Sequence, residues 1–465
     1  MLPYRNSRIW SWTVAVLLIG LCRTGGLALA ETPEFRLATF SADVTIPIGH
    51  RCMGVLPTKS QAIADPLEAH GFALLGAGDP VVFVAVDWCE IRNGAYDQWR
   101  DALAAAAGTS RERVLVCALH QHDAPVVDAG AARLLREAGL PGELYDEAFH
   151  ASAIEGVVAA LRESLRAPAS VTHLGVGDAA VEKVASNRRV VHEDGRISFS
   201  RGSRSGGDPF FSAAPDGEID PLVKTLSFWN EETPVAAVSV YATHPMSRYG
   251  AGIVSADFVG LARRRRQKET PGCLQIYASG CSGDVTAGKY NDGSDECREE
   301  LIERLCLGME AAWEQTERSP LRDVSFRTTP LQLEFYDHAE LKAERLQETL
   351  ADASARTEDR ILAAMGLSSR ERVRRGQPID LSCLDFGAAK LVLFPGESFV
   401  GYQLMAQEMA PESEVLSVGY GECWPGYIPM DAAFADGFHD KWLWVAPGSE
   451  RRVRAGLGRV LFEQP

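Results

Sequence analysis

Short apolar runs that alternate with amphipathic stretches dominate the pattern of this chain. Continuous, β-branched runs at 81–87 and 114–118 predict strands that are buried on both faces. Similar runs predict strands at 36–48, 235–242, 274–278 and 389–394, and helical periodicity predicts helices at 94–107, 130–166, 256–269, 295–317 and 338–375. Between 168 and 230 we expect short strands and a Gly/Ser/Arg-rich loop. This alternation predicts an α/β fold of mixed α+β character, a single large catalytic domain whose β-sheets are flanked by helices.

Residues that can bind a metal follow three of these strands. His120 and His122 come just after the strand at 114–118, His244 follows the strand at 235–242, and Glu397 follows the strand at 389–394. Because α/β sheets place ligands at the carboxyl ends of their strands, we expect these side chains to share a site. Two histidines, a carboxylate and the phenol of Tyr427 can coordinate a hydrolytic zinc ion and leave a position for water.

Taken singly, each of these residues also has a purely structural explanation. The His120–Gln–His122 pair is equally typical of a surface feature, and His244 before Pro245 of a hydrogen-bonded loop residue. Glu397 can cap a helix that begins at Ser398, and Tyr427 can be a core aromatic residue. The metal hypothesis therefore depends on the set and its order along the chain.

The first 30 residues have the pattern of a cleaved export signal. Arg5 and Arg8 precede an apolar run from Trp12 to Cys22, which is shorter than the roughly 20 residues that cross a bilayer. Ala28-Leu-Ala30 then supplies the small residues of a cleavage site. We therefore predict a signal peptide at 1–30, a catalytic domain at 31–465, and a periplasmic or secreted protein. A retained anchor is the alternative.

Charge and cysteine usage narrow the class of protein further. The formal net charge is −16, which argues against nucleic-acid binding, since that function requires a basic surface. The ten cysteines contain no CxxC pair, which argues against a cysteine-ligated zinc site. Nine of them remain after residue 30, and an odd number leaves at least one thiol outside any intramolecular disulfide.

In order along the chain, the candidate segments resemble the neutral/alkaline, non-lysosomal ceramidases. That family has HTHSGP, His-Pro followed by SADFPG, GDVSPN, an Asn-Arg pair, Pro-Gly-Glu and a tyrosine segment. The corresponding segments here are HQHDAP at 120–125, HP at 244–245, SADFVG at 255–260, GDVTAG at 283–288, NR at 187–188, PGE at 395–397 and YIP at 427–429. An opening ADVTIP strand at 42–47 adds to the likeness, which spans about 36–440.

The resemblance implies roles for individual residues. His120, His244, Glu397 and Tyr427 would bind Zn²⁺, and His122, Tyr427, Thr286 and Arg188 would act in catalysis. The implied reaction is attack of zinc-activated water on the N-acyl amide of a ceramide-like lipid, releasing fatty acid and a sphingoid base. Asp284 either orients a ligand histidine or forms a turn beside Gly283.

Three departures from the family pattern bear on the substrate. Thr286 stands where the family has a catalytic serine, and Phe438 falls where it has a second tyrosine. The C-terminal immunoglobulin-like domain of the full-length ceramidases is not expected here. The aromatic residues around and after Tyr427 either line an apolar substrate pocket or belong to the core: Trp424, Phe434, Phe438, Trp442 and Trp444.

The expected binding partner is an N-acylated amphiphilic lipid substrate. We expect the protein to reach this lipid by peripheral contact with a membrane. The sequence indicates no obligate protein partner. Two alternatives stay open. One is a zinc hydrolase of the same fold that cleaves a different amide or an ester. The other is an exported, non-catalytic binding protein with a degenerate site.

Overall fold

The structure, a computed structural model, describes residues 34–462. The predicted signal peptide lies outside the described residues. In the first half of the chain the strands are Phe35–Asp43 (β1), Ala62–Ile63 (β2), Glu68–Leu75 (β3), Val81–Val86 (β4), Glu90–Arg92 (β5), Val114–Ala118 (β6), Val126–Asp128 (β7), Ala169–Val171 (β8), His173–Ala180 (β9), Ser186–Asn187 (β10), Val190–Val191 (β11) and Ile197–Ser198 (β12).

In the second half the strands are Leu222–Asn230 (β13), Thr233–Tyr241 (β14), Ile253–Val254 (β15), Leu274–Ser279 (β16), Val285–Thr286 (β17), Glu317–Pro320 (β18), Ser325–Leu331 (β19), Ile379–Asp385 (β20), Ala389–Leu393 (β21), Glu397–Ser398 (β22), Glu414–Val418 (β23) and Tyr427–Ile428 (β24). The α-helices are Asn93–Ala107 (α1), Ala129–Glu137 (α2), Glu147–Ser164 (α3), Pro209–Ala213 (α4), Asp257–Glu269 (α5), Asp295–Glu314 (α6), Ala343–Ala351 (α7), Thr357–Arg374 (α8), Val400–Met409 (α9), Asp431–Ala435 (α10) and Ser449–Phe462 (α11).

The described residues form three large β-sheets. Sheet I has five strands in the order β6-β4-β3-β1-β8, and sheet II has five in the order β16-β14-β13-β9-β18. Sheet III has four strands in the order β19-β20-β21-β23. The mixed α/β fold with helix-flanked sheets is therefore confirmed.

Sheets I and II pack face to face, with helices on their outer sides. The ring of Phe72 on β3 lies 5.2 Å from that of Phe228 on β13. Helices α1 and α3 contact sheet I, while α5 and α6 contact sheet II. Strand β4 shows why its sequence is apolar at every position: Val82, Val84 and Val86 face one core, and the residues between them face the other.

Each large sheet contains one parallel pair of strands, and each pair points toward the same region. The parallel pairs are β4–β6, β14–β16 and β21–β23. His120 follows β6, His244 follows β14, and Glu397 follows β21. The carboxyl ends of strands from three different sheets thus deliver the three residues, as the pattern of apolar runs predicts.

Two predicted helices are interrupted. The stretch 130–166 is divided into α2 and α3 by a turn in which Gly139 and Gly142 have φ of +79° and +74°. The Asp146 carboxylate then caps α3 by accepting from Ala148 N at 2.9 Å and Phe149 N at 3.0 Å. The stretch 338–375 is likewise divided into α7 and α8 by the turn at 352–356. In both stretches, turn-forming residues interrupt a helix that the periodicity of the sequence predicts as continuous.

The cysteines of the described residues are all unpaired, and eight of these nine are buried. They serve as small core side chains, as the apolar context of Cys117 indicates. Within residues 34–462, no helix combines the length and the apolar character needed to cross a membrane.

Candidate metal centre

His120, His244 and Glu397 converge on one point. Oε2 of Glu397 lies 3.1 Å from Nε2 of His120 and 3.0 Å from Nε2 of His244. All three side chains are buried, and their potential ligand atoms lie within 4.8 Å of one another. Residues separated in sequence by more than 270 positions (120 to 397) therefore form one cluster.

The hydrogen bonds of the two imidazoles leave both Nε2 atoms directed at the carboxylate. Nδ1 of His244 lies 2.5 Å from the Ser282 carbonyl oxygen, and Nδ1 of His120 lies 3.2 Å from that of Cys89. A carbonyl oxygen only accepts, so each Nδ1 carries a proton and donates it. Such backbone partners fix the tautomer of metal-binding histidines.

This arrangement fits a metal ion. Burial lowers the pKa of His244 to about 4, so the ring is neutral and its single proton is on Nδ1. Its Nε2 lone pair then faces a carboxylate oxygen at 3.0 Å, and either a shared proton or a metal ion between these two acceptors relieves their repulsion. Although burial opposes it, the neighbouring carboxylate of Glu397 raises the pKa of His120, and a metal ion would displace that proton. Nitrogen and carboxylate oxygen together suit zinc.

Tyr427 stands beside this cluster because of strand pairing. β22 and β24 are parallel, and Glu397 is directly opposite Tyr427 in their register. The Tyr427 hydroxyl accepts a hydrogen bond of 2.7 Å from Nη1 of Arg188. Burial raises the pKa of Tyr427, and the Arg188 guanidinium opposes that rise by favouring the phenolate. The structure thus brings Arg188 and Tyr427 together as a pair at the cluster.

A cavity of about 450 Å³ opens onto the cluster. Its lining includes His120, His122, Arg188, Glu397 and Tyr427, together with Met53, Val55, Phe199, Met246, Tyr249 and Trp442. Five of the predicted site residues therefore face a common space. Its other walls combine these apolar and aromatic residues with polar ones, namely Arg201, Ser203, Asp440 and Lys441. A volume of this size suits a small-molecule ligand.

His122 lies next to both histidines of the cluster. Its ring is 5.0 Å from that of His120 and is stacked at 5.8 Å on that of His244. Burial and the two neighbouring histidines lower the pKa of His122 well below its usual value, so the imidazole is neutral. Its Nδ1 is buried and has no hydrogen-bond partner among the described residues.

Thr286 is placed differently from the other predicted catalytic residues. Its Oγ1 accepts a hydrogen bond of 3.2 Å from Gly288 N, and the residue is fully buried. Thr286 is not among the described residues that line the cavity. It contacts the site through its backbone, which forms a parallel bridge with His244.

Asp284 holds the segment that carries Arg188. Its carboxylate accepts from Asn187 Nδ2 at 2.9 Å and from Val400 N at 2.8 Å, and its carbonyl accepts from Arg188 N at 2.6 Å. Burial raises the pKa of Asp284 to about 6. Gly283 and Asp284 lie in a turn, as one of the two interpretations from sequence expects, and the Asp284 carbonyl also positions Arg188. The Nδ1 atom of His244 bonds to the carbonyls of Ser282 and Val285.

The C-terminal aromatic residues divide between cavity and core. Trp442 lines the cavity and donates from Nε1 to Glu90 at 2.9 Å, whereas Trp424 and Trp444 are fully buried in the core. Phe438 packs edge-on against Tyr427, with 5.5 Å between ring centroids. Trp424, Phe438 and Trp444 therefore pack near the site without lining its cavity.

Sequence reasoning missed Tyr420, Glu90 and Tyr249. Tyr420 stacks on His120, Glu90 Oε1 lies 3.8 Å from His120 Nδ1, and Tyr249 lies 5.2 Å from the His122 ring. A signal was present only for Tyr420, which lies between Gly419 and Gly421 just after an apolar strand and has φ of +57°. The other two lie in segments without a recognisable motif.

These features define an α/β protein with a buried two-histidine, one-carboxylate centre at the carboxyl ends of its strands. The chain matches no protein-family model and no curated protein. Among solved structures it is similar to a ceramidase complexed with C2, with a TM-score of 0.68 at 16% identity over 93% of this chain and 76% of that one.

It is similarly close to a neutral ceramidase from Pseudomonas aeruginosa, with a TM-score of 0.66 at 17% identity over 91% of this chain and 73% of that one. The chain therefore has the fold of the neutral ceramidases, as the resemblance of its motifs implies.

Proposed function

We propose that this protein is an exported, zinc-dependent hydrolase that cleaves the N-acyl amide of ceramide-like lipids. The convergence of His120, His244 and Glu397 on one point, inside a protein with the neutral ceramidase fold, carries the proposal. These three residues and Tyr427 would hold the metal. When bound, zinc supplies Lewis acidity and activates water near neutral pH.

Arg188 is suited to stabilise the charge that develops on the substrate carbonyl oxygen. Its guanidinium lines the cavity, and no carboxylate of the described residues forms an ion pair with it. Nε of Arg188 has no hydrogen-bond partner, so donors remain for the substrate after the bond to Tyr427 is made. Preorganised donors of this kind stabilise an oxyanion.

His122 would transfer the proton. Its neutral imidazole can accept a proton when water attacks the acyl carbon and can then donate it to the departing amine. The position of His122 in the cavity lining supports this role.

A second candidate is a hydrolase of the same fold that acts on a different amide or on an ester. Thr286 does not line the cavity and Phe438 carries no hydroxyl, so two features of the family pattern differ at this site. The cavity also contains about 450 Å³, which accommodates a compact group more readily than two long chains.

The test is release of fatty acid from a labelled ceramide by the purified chain, measured before chelation, after chelation and after zinc is restored. We expect release that chelation stops and zinc recovers. His244→Ala should lose tight zinc binding and activity together, while His173→Ala on β9 serves as a matched histidine control. Activity that survives His244→Ala at trace metal would contradict the proposal, and a zinc-loaded protein that releases no fatty acid would favour the second candidate.

A further inference from the structure

Tyr249 forms a wall of the cavity on the side of His122. Its ring lies 5.2 Å from the His122 ring and is tilted by 42°. The side chain is 39% exposed, so one part of the ring lines the cavity while the other meets solvent at the mouth. A large ring beside His122 restricts the width of the cavity there.

The segment that carries Tyr249 is anchored on its N-terminal side by Asp257. The Asp257 carboxylate accepts from the backbone N of Ser247 at 3.1 Å and from that of Arg248 at 3.4 Å. It also bonds to the Ser247 hydroxyl. Asp257 is buried and has φ of +57°, so the surrounding structure holds it in an unusual backbone conformation.

On the C-terminal side the same segment is anchored by Asp123 and by residues 56–61. Oδ1 of Asp123 accepts from Gly252 N at 2.8 Å, and the Thr58 hydroxyl donates to the Gly250 carbonyl at 3.1 Å. A Cβ at Gly250 would lie 2.9 Å from Leu56 Cδ1, so the backbone is already in close contact with the neighbouring segment. Tyr249 therefore stands on a short span that is fixed at both ends and cannot withdraw freely from a wider substrate.

We propose that Tyr249 determines substrate width at this site and restricts it to acyl groups that are unbranched next to the carbonyl. This inference rests on the proposed function, because it assumes that the acyl carbon lies between the metal cluster and His122. A branch at the adjacent carbon would meet the Tyr249 ring. The natural substrate is then an amide of a linear acyl chain, whose narrow chain passes the ring and continues toward the mouth.

The expected discrimination follows from packing. One extra methylene or methyl group in a well-packed pocket changes transition-state binding by about 10-fold to 200-fold. Because the Tyr249 segment is anchored at both ends, relaxation of the wall recovers little of that loss. Removal of the ring should therefore act selectively on branched groups and leave linear ones nearly unchanged.

The experiment measures binding of hydroxamates to the zinc-loaded protein by calorimetry, because a hydroxamate chelates zinc and presents its acyl group without any turnover. The probes are acetohydroxamate and its branched analogue pivalohydroxamate. The variants are Tyr249→Ala, Tyr249→Leu as a graded reduction, and Tyr249→Phe, which keeps the ring. Phe210→Ala is the matched control, since Phe210 is 38% exposed and stacks on His192 outside the cavity lining.

We expect the wild-type protein to bind pivalohydroxamate at least about 10-fold more weakly than acetohydroxamate. Tyr249→Ala should remove most of this ratio, Tyr249→Leu part of it, and Tyr249→Phe and Phe210→Ala none. Zinc content, measured for every variant, shows that the site remains assembled. A ratio that is absent in the wild type, or unchanged in Tyr249→Ala and Tyr249→Leu, would overturn the inference. The proposed function is judged separately by amide hydrolysis, so a failure of the inference can be distinguished from a failure of the proposed function.

Discussion

Tyr420 stacks face to face on His120, with 4.4 Å between ring centroids and 16° between ring planes. Its hydroxyl forms a 2.7 Å hydrogen bond with the Ser282 hydroxyl, and the Ser282 carbonyl in turn accepts from His244 Nδ1. One buried tyrosine therefore supports both histidines of the proposed metal site.

Removal of this support should weaken metal binding. Substitution of outer partners of metal ligands costs about 10-fold to 100-fold in affinity, so we expect Tyr420→Leu to weaken zinc binding within that range. Tyr420→Phe keeps the stacking and loses only the hydroxyl contact, so its loss should be smaller. Chelator competition gives both dissociation constants, and equal losses in the two variants would show that stacking contributes nothing.

Arg188 should matter for turnover and not for the metal. We expect Arg188→Met to lower kcat by about 10²-fold to 10³-fold, because that is the usual effect of removing one donor to a developing oxyanion. Arg188→Lys keeps the charge but loses the planar set of donors, of which Nη1 bonds to Tyr427, and it should recover only part of the rate. Steady-state kinetics are measured alongside zinc stoichiometry. Loss of zinc in Arg188→Met would assign Arg188 to metal binding through Tyr427 instead.

His122→Asn should separate proton transfer from metal binding. The substitution removes an imidazole whose Nδ1 has no other partner, while the ligand set of His120, His244 and Glu397 is retained. General acid–base catalysis contributes about 10²-fold to 10⁴-fold, so kcat should fall by at least about 10²-fold. Zinc affinity within a few-fold of wild type completes the expected result. A kcat near the wild-type value would exclude His122 as the proton-transfer group.

Asp284 should make stability depend on pH. Burial raises its pKa from 3.8 to about 6, so the folded protein keeps a proton that the unfolded chain has already lost. The contribution of Asp284 to stability is therefore largest below pH 4 and falls as the pH rises toward about 6. At roughly 1.4 kcal/mol for each pKa unit, the loss amounts to roughly 3 kcal/mol.

Asp284→Asn isolates this effect, because asparagine has no charge to titrate. Urea denaturation of both proteins at several values between pH 4 and pH 7 gives the two free energies of unfolding. We expect the variant to gain on the wild type as the pH rises, on top of an offset for its altered hydrogen bond to Asn187 that does not depend on pH. A difference that stays constant over this range would mean that Asp284 is ionised throughout.

The sequence by itself determined the local elements of this protein and the identity of its polar centre. Strands β4, β6, β14 and β21 follow directly from continuous apolar runs, since a strand buried on both faces needs apolar side chains at every position. His120, His244 and Glu397 could be selected because each follows such a strand within a few residues. Both inferences use information that lies within a short stretch of chain.

Only the tertiary structure decided which side chains act on one another. Three contacts join segments that are distant along the chain. Tyr420 stacks on His120, Asp123 anchors the Tyr249 segment, and Asn187 donates a hydrogen bond to Asp284. Thr286 does not line the cavity, because its hydroxyl bonds to Gly288 N and its strand β17 pairs with β10. Such contacts depend on how three sheets pack against one another, and no local pattern of residues records that packing.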